Sequence, residues 1–312
     1  MKKFTRIFVI LGAVLCLCGS AVAAAGYLGG GFRELYDKAS PRIAAASASQ
    51  GQEKLTSSPQ NQENLTFSSD EIDRLEFRLN SEDIVFRPSE DGQIHIRYFK
   101  RDDVTYKAYT EQGIDSDAGN TLVFTRTATS GSTQLFYFGS RYESEAPDVQ
   151  VALPKGLSVD LITASGDVEL NGISVASLSI ATVSGEVDLT QVQVDSLAIG
   201  TTSGDMDLEQ TTAAGETVLT TTSGETELED CTLNRADFTS VSGDLSGHAV
   251  IAGDITVGTT SGDVELDLSG SPAHAAGEIS TTSGEMNLQG LQPKSEYFVN
   301  ITTVSGDITI LH

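Results

Sequence analysis

Hydrophobic and polar positions alternate with a period of two over most of residues 158–310, and a Ser-Gly-acid step interrupts the alternation at regular intervals. The step occurs eight times, with spacings of 19 to 22 residues, at Ser165, Ser184, Ser203, Ser223, Ser242, Ser261, Ser283 and Ser305. Alternation with a period of two is typical of half-buried β-strands. Recurrence at a nearly fixed period indicates stacked structural repeats. The pattern therefore predicts an all-β repeat protein.

The apolar positions keep fixed offsets from each serine. Inward positions after the step stand three and five residues beyond the serine, as Val168 and Leu170 do. Inward positions before the step stand four residues ahead of the serine, so the inward set changes from even to odd offsets across Ser-Gly. The chain must therefore bend there. We expect glycine to tolerate the backbone angles of that corner. Each repeat is predicted to hold two short strands and a variable return segment such as residues 173–175. Four residues before the serines stand Leu161, Ile180, Ile199, Leu219, Phe238, Val257, Ile279 and Ile301.

A repeat of about 20 residues made only of strands cannot bury its own inward face, so neighbouring repeats must share one core. We therefore predict a parallel β-solenoid over residues 156–312. A leucine-rich repeat would need its Asn/Cys signature and a helical return, and a propeller blade would need about twice the length. Residues 65–155 alternate without the repeat and are predicted to form irregular first coils or a β cap over the N-terminal end of the core.

The N-terminal segment is predicted to anchor the chain in a membrane. Residues 7–28 carry no charge, and 22 residues of helix are long enough to span the hydrocarbon core of a bilayer. A cleaved signal peptide is the alternative, because Ala21-Val22-Ala23 and the following Ala24-Ala25-Gly26 offer small residues where a signal peptidase could cut. We expect residues 1–6 in the cytoplasm, a flexible linker over residues 29–64 and the remaining chain outside the cytoplasm.

The charge narrows the range of partners. The chain has 44 Asp and Glu against 19 Lys and Arg, and its formal charge is −25. Such a chain is a poor partner for nucleic acid or for an anionic lipid surface. Residues 156–312 hold 24 of the acids and only two bases, Arg235 and Lys294. The excess negative charge is therefore expected on the solenoid.

The acids that follow Ser-Gly are the main candidate site. Stacking in register would align them about 4.8 Å apart. Each carboxylate then either binds nearby backbone N–H groups and faces water, or joins a column that binds Ca²⁺ or other cations weakly. Glu169, Asp188, Asp207, Glu227 and Glu265 stand two residues further on and would join such a column. The corner acids are Asp167, Glu186, Asp205, Glu225, Asp244, Asp263, Glu285 and Asp307.

Catalytic chemistry finds little support in the sequence. The four histidines, His95, His248, His274 and His312, are scattered, and the short repeats leave almost no room for loops that could wall a substrate cleft. Cys231 stands alone and is expected to be a small core residue. We predict no catalytic residue, and no cofactor other than Ca²⁺ bound weakly by the column of corner acids.

The run Val149-Gln-Val-Ala-Leu-Pro-Lys-Gly156, followed by Leu161 to Leu170 and seven further copies of the repeat, is similar to the putative-adhesin β-strand-repeat domain of bacterial surface proteins. The similarity covers residues 65–312. It implies a right-handed β-helix-like domain behind an N-terminal anchor, in a family common in Gram-positive bacteria. It implies no catalytic residues, because the family motif is a structural repeat.

The sequence thus favours a membrane-tethered, extracytoplasmic β-solenoid that serves as an adhesin, a scaffold or an envelope-stress binding module. Its expected partners are the membrane, through the N-terminal helix, and components of the envelope or of a host surface. The alternative is a carbohydrate-active β-helix enzyme that acts on wall or host glycans. A cleft with convergent acids would favour the enzyme.

Overall fold

The structure, a computed structural model, describes residues 62–100, 104–112, 120–128 and 148–312. The predicted anchor at residues 7–28, residues 1–6 and all but the end of the linker lie outside these ranges. Within the described ranges, no helix is long and apolar enough to span a bilayer. These residues form β-strands and one short 3-10 turn, Ser69–Glu71. The predicted all-β parallel solenoid is confirmed.

The strands that precede the corners stack in one parallel column. Its order in space is β6, β2, β8, β10, β12, β14, β15, β17, β21 and β19. The strands β10, β12 and β14 also contain the return segment that leads into the column. The bounds are β2 Arg74–Arg78, β6 Asn120–Ala128, β8 Ser158–Ile162, β10 Ser174–Ala181, β12 Gln193–Gly200, β14 Thr212–Thr220, β15 Thr226–Thr239, β17 Ile255–Gly258, β19 His274–Ser283 and β21 Tyr297–Ser305.

The strands that follow the corners stack in a second parallel column. Its order is β7, β3, β9, β11, β13, the first part of β15, β16, β18, β22 and β20. Apolar side chains of both columns point inward and form one continuous core. The bounds are β3 Ile84–Pro88, β7 Val149–Leu153, β9 Val168–Asn171, β11 Val187–Thr190, β13 Met206–Glu209, β16 Leu245–Ile251, β18 Val264–Asp267, β20 Met286–Gln289 and β22 Ile308–Leu311.

The turns at the C-terminal end do not stack in the order of the sequence. The strand β21 pairs with β17 on one side and with β19 on the other. Likewise β22 lies between β18 and β20. The chain therefore passes over one position, forms the turn of β19 and β20, and returns to fill the gap with β21 and β22. The outermost turn is the penultimate one in the sequence.

The first turn of the solenoid, made by β2 and β3, has a corner that lacks glycine. Its residues are Ser81, Glu82 and Asp83, and the backbone of Glu82 stacks against Gly166 of the next turn. The Glu82 side chain is fully buried, and its Oε2 accepts hydrogen bonds from the N–H groups of Asn80 (2.9 Å) and Ser81 (3.1 Å). In later turns the serine N–H of the corner donates to a carbonyl of the preceding turn, as Ser184 does to Ala164. Within the described residues, the Glu82 carboxylate thus supplies the acceptor that a carbonyl of the preceding turn supplies at the later corners.

A cap surrounds this first turn. The strands β1 (Gln62–Phe67) and β4 (Ile94–Phe99) pair antiparallel with each other, and β4 also pairs antiparallel with β7. The strand β5 (Val104–Gln112) pairs antiparallel with β6. Arg126 of β6 neutralises the buried Glu82, since its Nε lies 2.7 Å from Oε1, and the Tyr106 hydroxyl of β5 donates to the same oxygen at 3.1 Å. The N-terminal end of the core is therefore covered.

Candidate functional site

Each residue type of the repeated corner has a structural task. At most corners the threonine two residues before the serine is buried. Its hydroxyl accepts the N–H of the corner glycine at several of them, at 3.0 Å from Gly185 to Thr182 and at 2.8 Å from Gly204 to Thr201, whereas the hydroxyls of Thr259 and Thr303 have no hydrogen-bond partner among the described residues. The glycine allows two turns to approach closely, because a Cβ on Gly204 would lie 1.9 Å from the carbonyl oxygen of Gly185. The expectation that glycine serves unusual backbone angles here is wrong, since the corner glycines do not have positive φ. The reason for glycine is steric.

The corner acids stack in one column, as the sequence predicts, although Asp307 lies between Asp263 and Glu285. The aspartates accept backbone hydrogen bonds from the next turn. Asp205 Oδ1, for example, accepts the N–H of Glu225 at 2.8 Å, and Asp244 Oδ1 accepts that of Asp263 at 2.8 Å. This arrangement matches the first hypothesis for the column, a corner acid that binds backbone N–H groups. The stacked residues are Asp167, Glu186, Asp205, Glu225, Asp244, Asp263, Asp307 and Glu285.

A second row of carboxylates runs beside the corner column on the outer surface of β9, β11, β13, β15 and β18. Parallel pairing places Asp188 between Glu169 and Asp207, and Glu227 follows Asp207, without a register shift. Ser246 then separates Glu227 from Glu265. Further acids, Glu209, Glu229 and Asp267, flank the row. We call the row and its flanking acids the acidic face, which consists of Glu169, Asp188, Asp207, Glu227, Glu265, Glu209, Glu229 and Asp267.

The negative charge is most concentrated where the corner column meets the acidic face. Carboxylate oxygens of Glu186, Asp188 and Asp207 lie within 4.8 Å of one another. Partial burial, and then the charges of Glu186 and Asp207, raise the pKa of Asp188 to about 6. Burial and neighbouring acids also raise the pKa values of Glu186 and Asp207. Among the described residues this is the one group of three or more His, Cys, Asp or Glu side chains that lie close enough together to hold a metal ion. The hypothesis that the column of acids binds cations stays a prediction.

We expect the solenoid to become more stable on acidification from pH 7.5 to pH 5. The pKa of Asp188 is higher in the folded chain, about 6, than its ordinary value of 3.8, so protonation favours the fold. This stabilisation is complete below pH 3.8 and is lost as the pH rises through about 6. At pH 7.5, Asp188→Asn should therefore raise the free energy of unfolding by about 1 kcal/mol, after allowance for solvent screening. Denaturant titration across this pH range provides the measurement.

The matched control for Asp188→Asn is Asp195→Asn, because Asp195 is exposed and lies outside the acidic face. Asp91 has the opposite effect on stability, because hydrogen bonds from His95, Gln93 and Ser89 lower the pKa of its carboxyl to about 2. Its protonation destabilises the fold only at a more acidic pH. Equal stabilities of the wild type at pH 5 and pH 7.5 would contradict the crowding of these carboxylates.

The acidic face contains two shallow depressions. One, of about 330 Å³, is lined by Asp188, Asp207, Glu227 and other acids. The other, of about 520 Å³, lies around Gly247, where most repeats have Leu or Ile, and includes Glu265 and His248 in its lining. Both lie on the strands of the second column. The described turns contribute no long loops that could wall either depression into a cleft.

The four histidines and Cys231 do not form one cluster in the described structure. His95 lies 2.9 Å from Asp91, His248 lies 3.0 Å from Asp230, and the buried His274 lies 3.0 Å from His312. Cys231 is a buried core residue, as predicted, and burial raises the pKa of its thiol to about 11. A protonated thiol is a weak nucleophile at neutral pH.

Sequence reasoning missed the first corner and its buried carboxylate. The signal was present, because Phe77, Asp83, Ile84 and Phe86 stand at the repeat's offsets from Ser81. The repeat has glycine after the serine, whereas Glu82 occupies that position in the first corner. The contact of Glu82 with Arg126 could not be inferred, since the two residues lie far apart in the sequence and in different strands or turns.

Comparison with known proteins places this architecture in a family. No curated protein matches the chain. A solved chain from Bacteroides fragilis NCTC 9343, described as a putative adhesin, is 12% identical over 81% of this chain and 98% of its own, with a TM-score of 0.47. A chain from Clostridium sporogenes ATCC 15579, described as a putative cell adhesion protein, is 12% identical over 80% of this chain and 98% of its own, with a TM-score of 0.30. The model of the Toastrack DUF4097 family matches residues 72–311, and the chain therefore belongs to that family.

Proposed function

We propose that this protein is a non-catalytic binding module of the adhesin or scaffold type, and that its acidic face binds a cationic component of the envelope or of a host surface. In this proposal residues 7–28 hold the chain in the membrane and the solenoid lies outside the cytoplasm. The single observation that carries the proposal is the uninterrupted row of carboxylates from Glu169 to Glu227 on a regular parallel sheet.

The geometry favours an extended ligand over a small molecule. The carboxylates of successive turns repeat at the strand spacing of about 4.8 Å, so they present charge along a line. The two depressions beside them are shallow and lack walls, whereas sites for small molecules are concave and enclose most of the ligand. A row of like charges attracts a partner of opposite charge and speeds its association. A polymer or surface that displays repeated ammonium or guanidinium groups fits this arrangement.

The proposal predicts that the full chain binds immobilised poly-L-lysine and that binding weakens as ionic strength rises. The triple variant Asp188→Asn, Asp207→Asn, Glu227→Gln should bind about tenfold more weakly, because each exposed ion pair contributes roughly 0.5 kcal/mol. Biolayer interferometry at two salt concentrations gives both quantities.

The matched control carries the same change of charge away from the acidic face: Glu71→Gln, Glu90→Gln, Asp195→Asn, all at exposed positions. Equal losses in the two triple variants would mean that net charge, and no particular face, governs binding. That result would contradict the proposal.

A carbohydrate-active enzyme is the second candidate, because one observation favours it. Asp188, with a pKa of about 6, has the protonation range of a general acid and lies beside two other carboxylates. The open surface around it argues against this function, since glycosidases hold their substrate in a cleft. Release of reducing sugar from wall glycans by the wild type, and its loss in Asp188→Asn, would establish the enzyme and displace the binding module.

A further inference from the structure

The outermost turn at the C-terminal end leaves core positions exposed. Met286 and Leu288 occupy the inward positions of β20 but are 53% and 39% exposed. Ile308 and Ile310 hold the same positions one turn further in and are fully buried. The difference arises because β20 has a neighbour, β22, on one side only within the described part of the chain. We call β19 and β20 the terminal turn.

The terminal turn also has free backbone edges. In the described structure β20 pairs only with β22, and β19 pairs with β21 and, at Ala275, bridges Gln292, so the remaining length of its outer edge is unpaired. Unpaired strand edges are templates for pairing with another strand, and natural proteins usually block them with charged residues, proline or a covering element. The other end of the solenoid is covered by β1, β4 and β5. In the described residues β1 pairs only with β4 and β5 only with β6, so both ends have strand edges, but the inward positions are buried at the capped end and exposed at the terminal turn.

The charge pattern changes at the same place. Outward positions of β9, β11, β13 and β18 carry carboxylates, but the equivalent positions are Thr309 and Leu311 in β22 and Asn287 and Gln289 in β20. The last two turns thus interrupt the acidic face before the open end. A second, equally acidic copy can approach this end without bringing the two acidic faces into direct contact, although the corner column continues to Glu285. Stacked Asn and Gln side chains can also hydrogen-bond between adjacent strands.

We infer that the terminal turn pairs with the terminal turn of a second copy of this chain, tail to tail. Because the N-terminal end is capped, the contact uses the same surface twice, and such an isologous contact closes as a dimer and does not grow into a fibre. In this contact β20 pairs antiparallel with β20 of the second copy across the twofold axis. Residues that stand opposite each other in such a pair have their side chains on the same face of the sheet. Centred on Asn287, the pairing places Met286 against Leu288 of the partner subunit and buries both side chains.

The oligomeric state of the full chain, measured in detergent by light scattering, tests this inference. We expect a dimer for the wild type and a monomer for Met286→Asp/Leu288→Asp, with dissociation at least 100-fold easier because two charges would enter the interface. The control Val241→Asp changes an apolar residue with similar exposure, 47%, at a corner in the middle of the solenoid and should remain dimeric. A monomeric wild type, filaments, or a dimer that survives the double substitution would overturn the inference.

A cross-link decides the question even if the double variant fails to fold. In a chain with Cys16 and Cys18 replaced by serine, Asn287→Cys should form an intermolecular disulfide on mild oxidation. Thr309→Cys places the thiol at the same position one turn away from the edge and should form far less of the intermolecular disulfide. A dimer joined through the N-terminal segment would give no preference for residue 287, and that outcome would also overturn the inference.

Discussion

Replacement of Ile199 by aspartate is expected to prevent the middle of the solenoid from folding. Ile199 is 1% exposed and stacks between Ile180 and Leu219 of the adjacent turns. A carboxylate at this position would lie in an apolar column without a partner, while the isoleucine contacts would be lost. We expect the free energy of unfolding to fall by at least about 4 kcal/mol. Circular dichroism during denaturant titration would show the loss of cooperative β-structure.

The adjacent residue provides the control for this substitution. Ala198 lies on the same strand with its side chain on the outer surface, and its neighbours in register are Ser179 and Val218. Ala198→Asp introduces the same carboxylate on the solvent side and should change stability by less than about 1 kcal/mol. If Ala198→Asp unfolds the chain and Ile199→Asp does not, the inward and outward faces of the column are exchanged.

Gly204→Ala is expected to destabilise the solenoid by about 3 kcal/mol although it adds a single methyl group. The added Cβ would lie 1.9 Å from the carbonyl oxygen and 2.8 Å from the carbonyl carbon of Gly185. Both are backbone atoms held by the pairing of adjacent turns, so neither can move away as a flexible side chain would. The turns must separate locally, which weakens the hydrogen bonds of the corner. Thermal and denaturant unfolding of the variant measure the effect.

Gly200→Ala is the matched control, since it makes the same chemical change four residues earlier in the same turn. A Cβ on Gly200 would meet no atom within 4 Å, and its φ is not positive. Alanine should be neutral there or should stabilise the fold by a few tenths of a kcal/mol, because it restricts the unfolded chain. Equal effects of the two substitutions would refute the steric account of the corner glycines.

The sequence determined the repeating unit by itself. Inward residues such as Leu161 and Leu170 recur at fixed distances from a corner, and burial in a two-residue period requires strands whatever the rest of the chain does. The same spacing predicted a parallel stack and a column of corner acids. The region before residue 156 was predicted only as irregular first coils or a β cap, because its first corner keeps the apolar offsets of the repeat but lacks the glycine of the Ser-Gly step.

Tertiary structure decided three features that local pattern cannot contain. The insertion of β21 and β22 between earlier turns follows from which edges pair, and every turn carries nearly the same pattern, so the sequence is compatible with more than one stacking order. Glu82 is buried because Arg126 and Tyr106 approach from other strands. The raised pKa of Asp188 depends on carboxylates of three adjacent turns. Pairing between turns sets each of these features, whereas the period of the sequence describes only one turn.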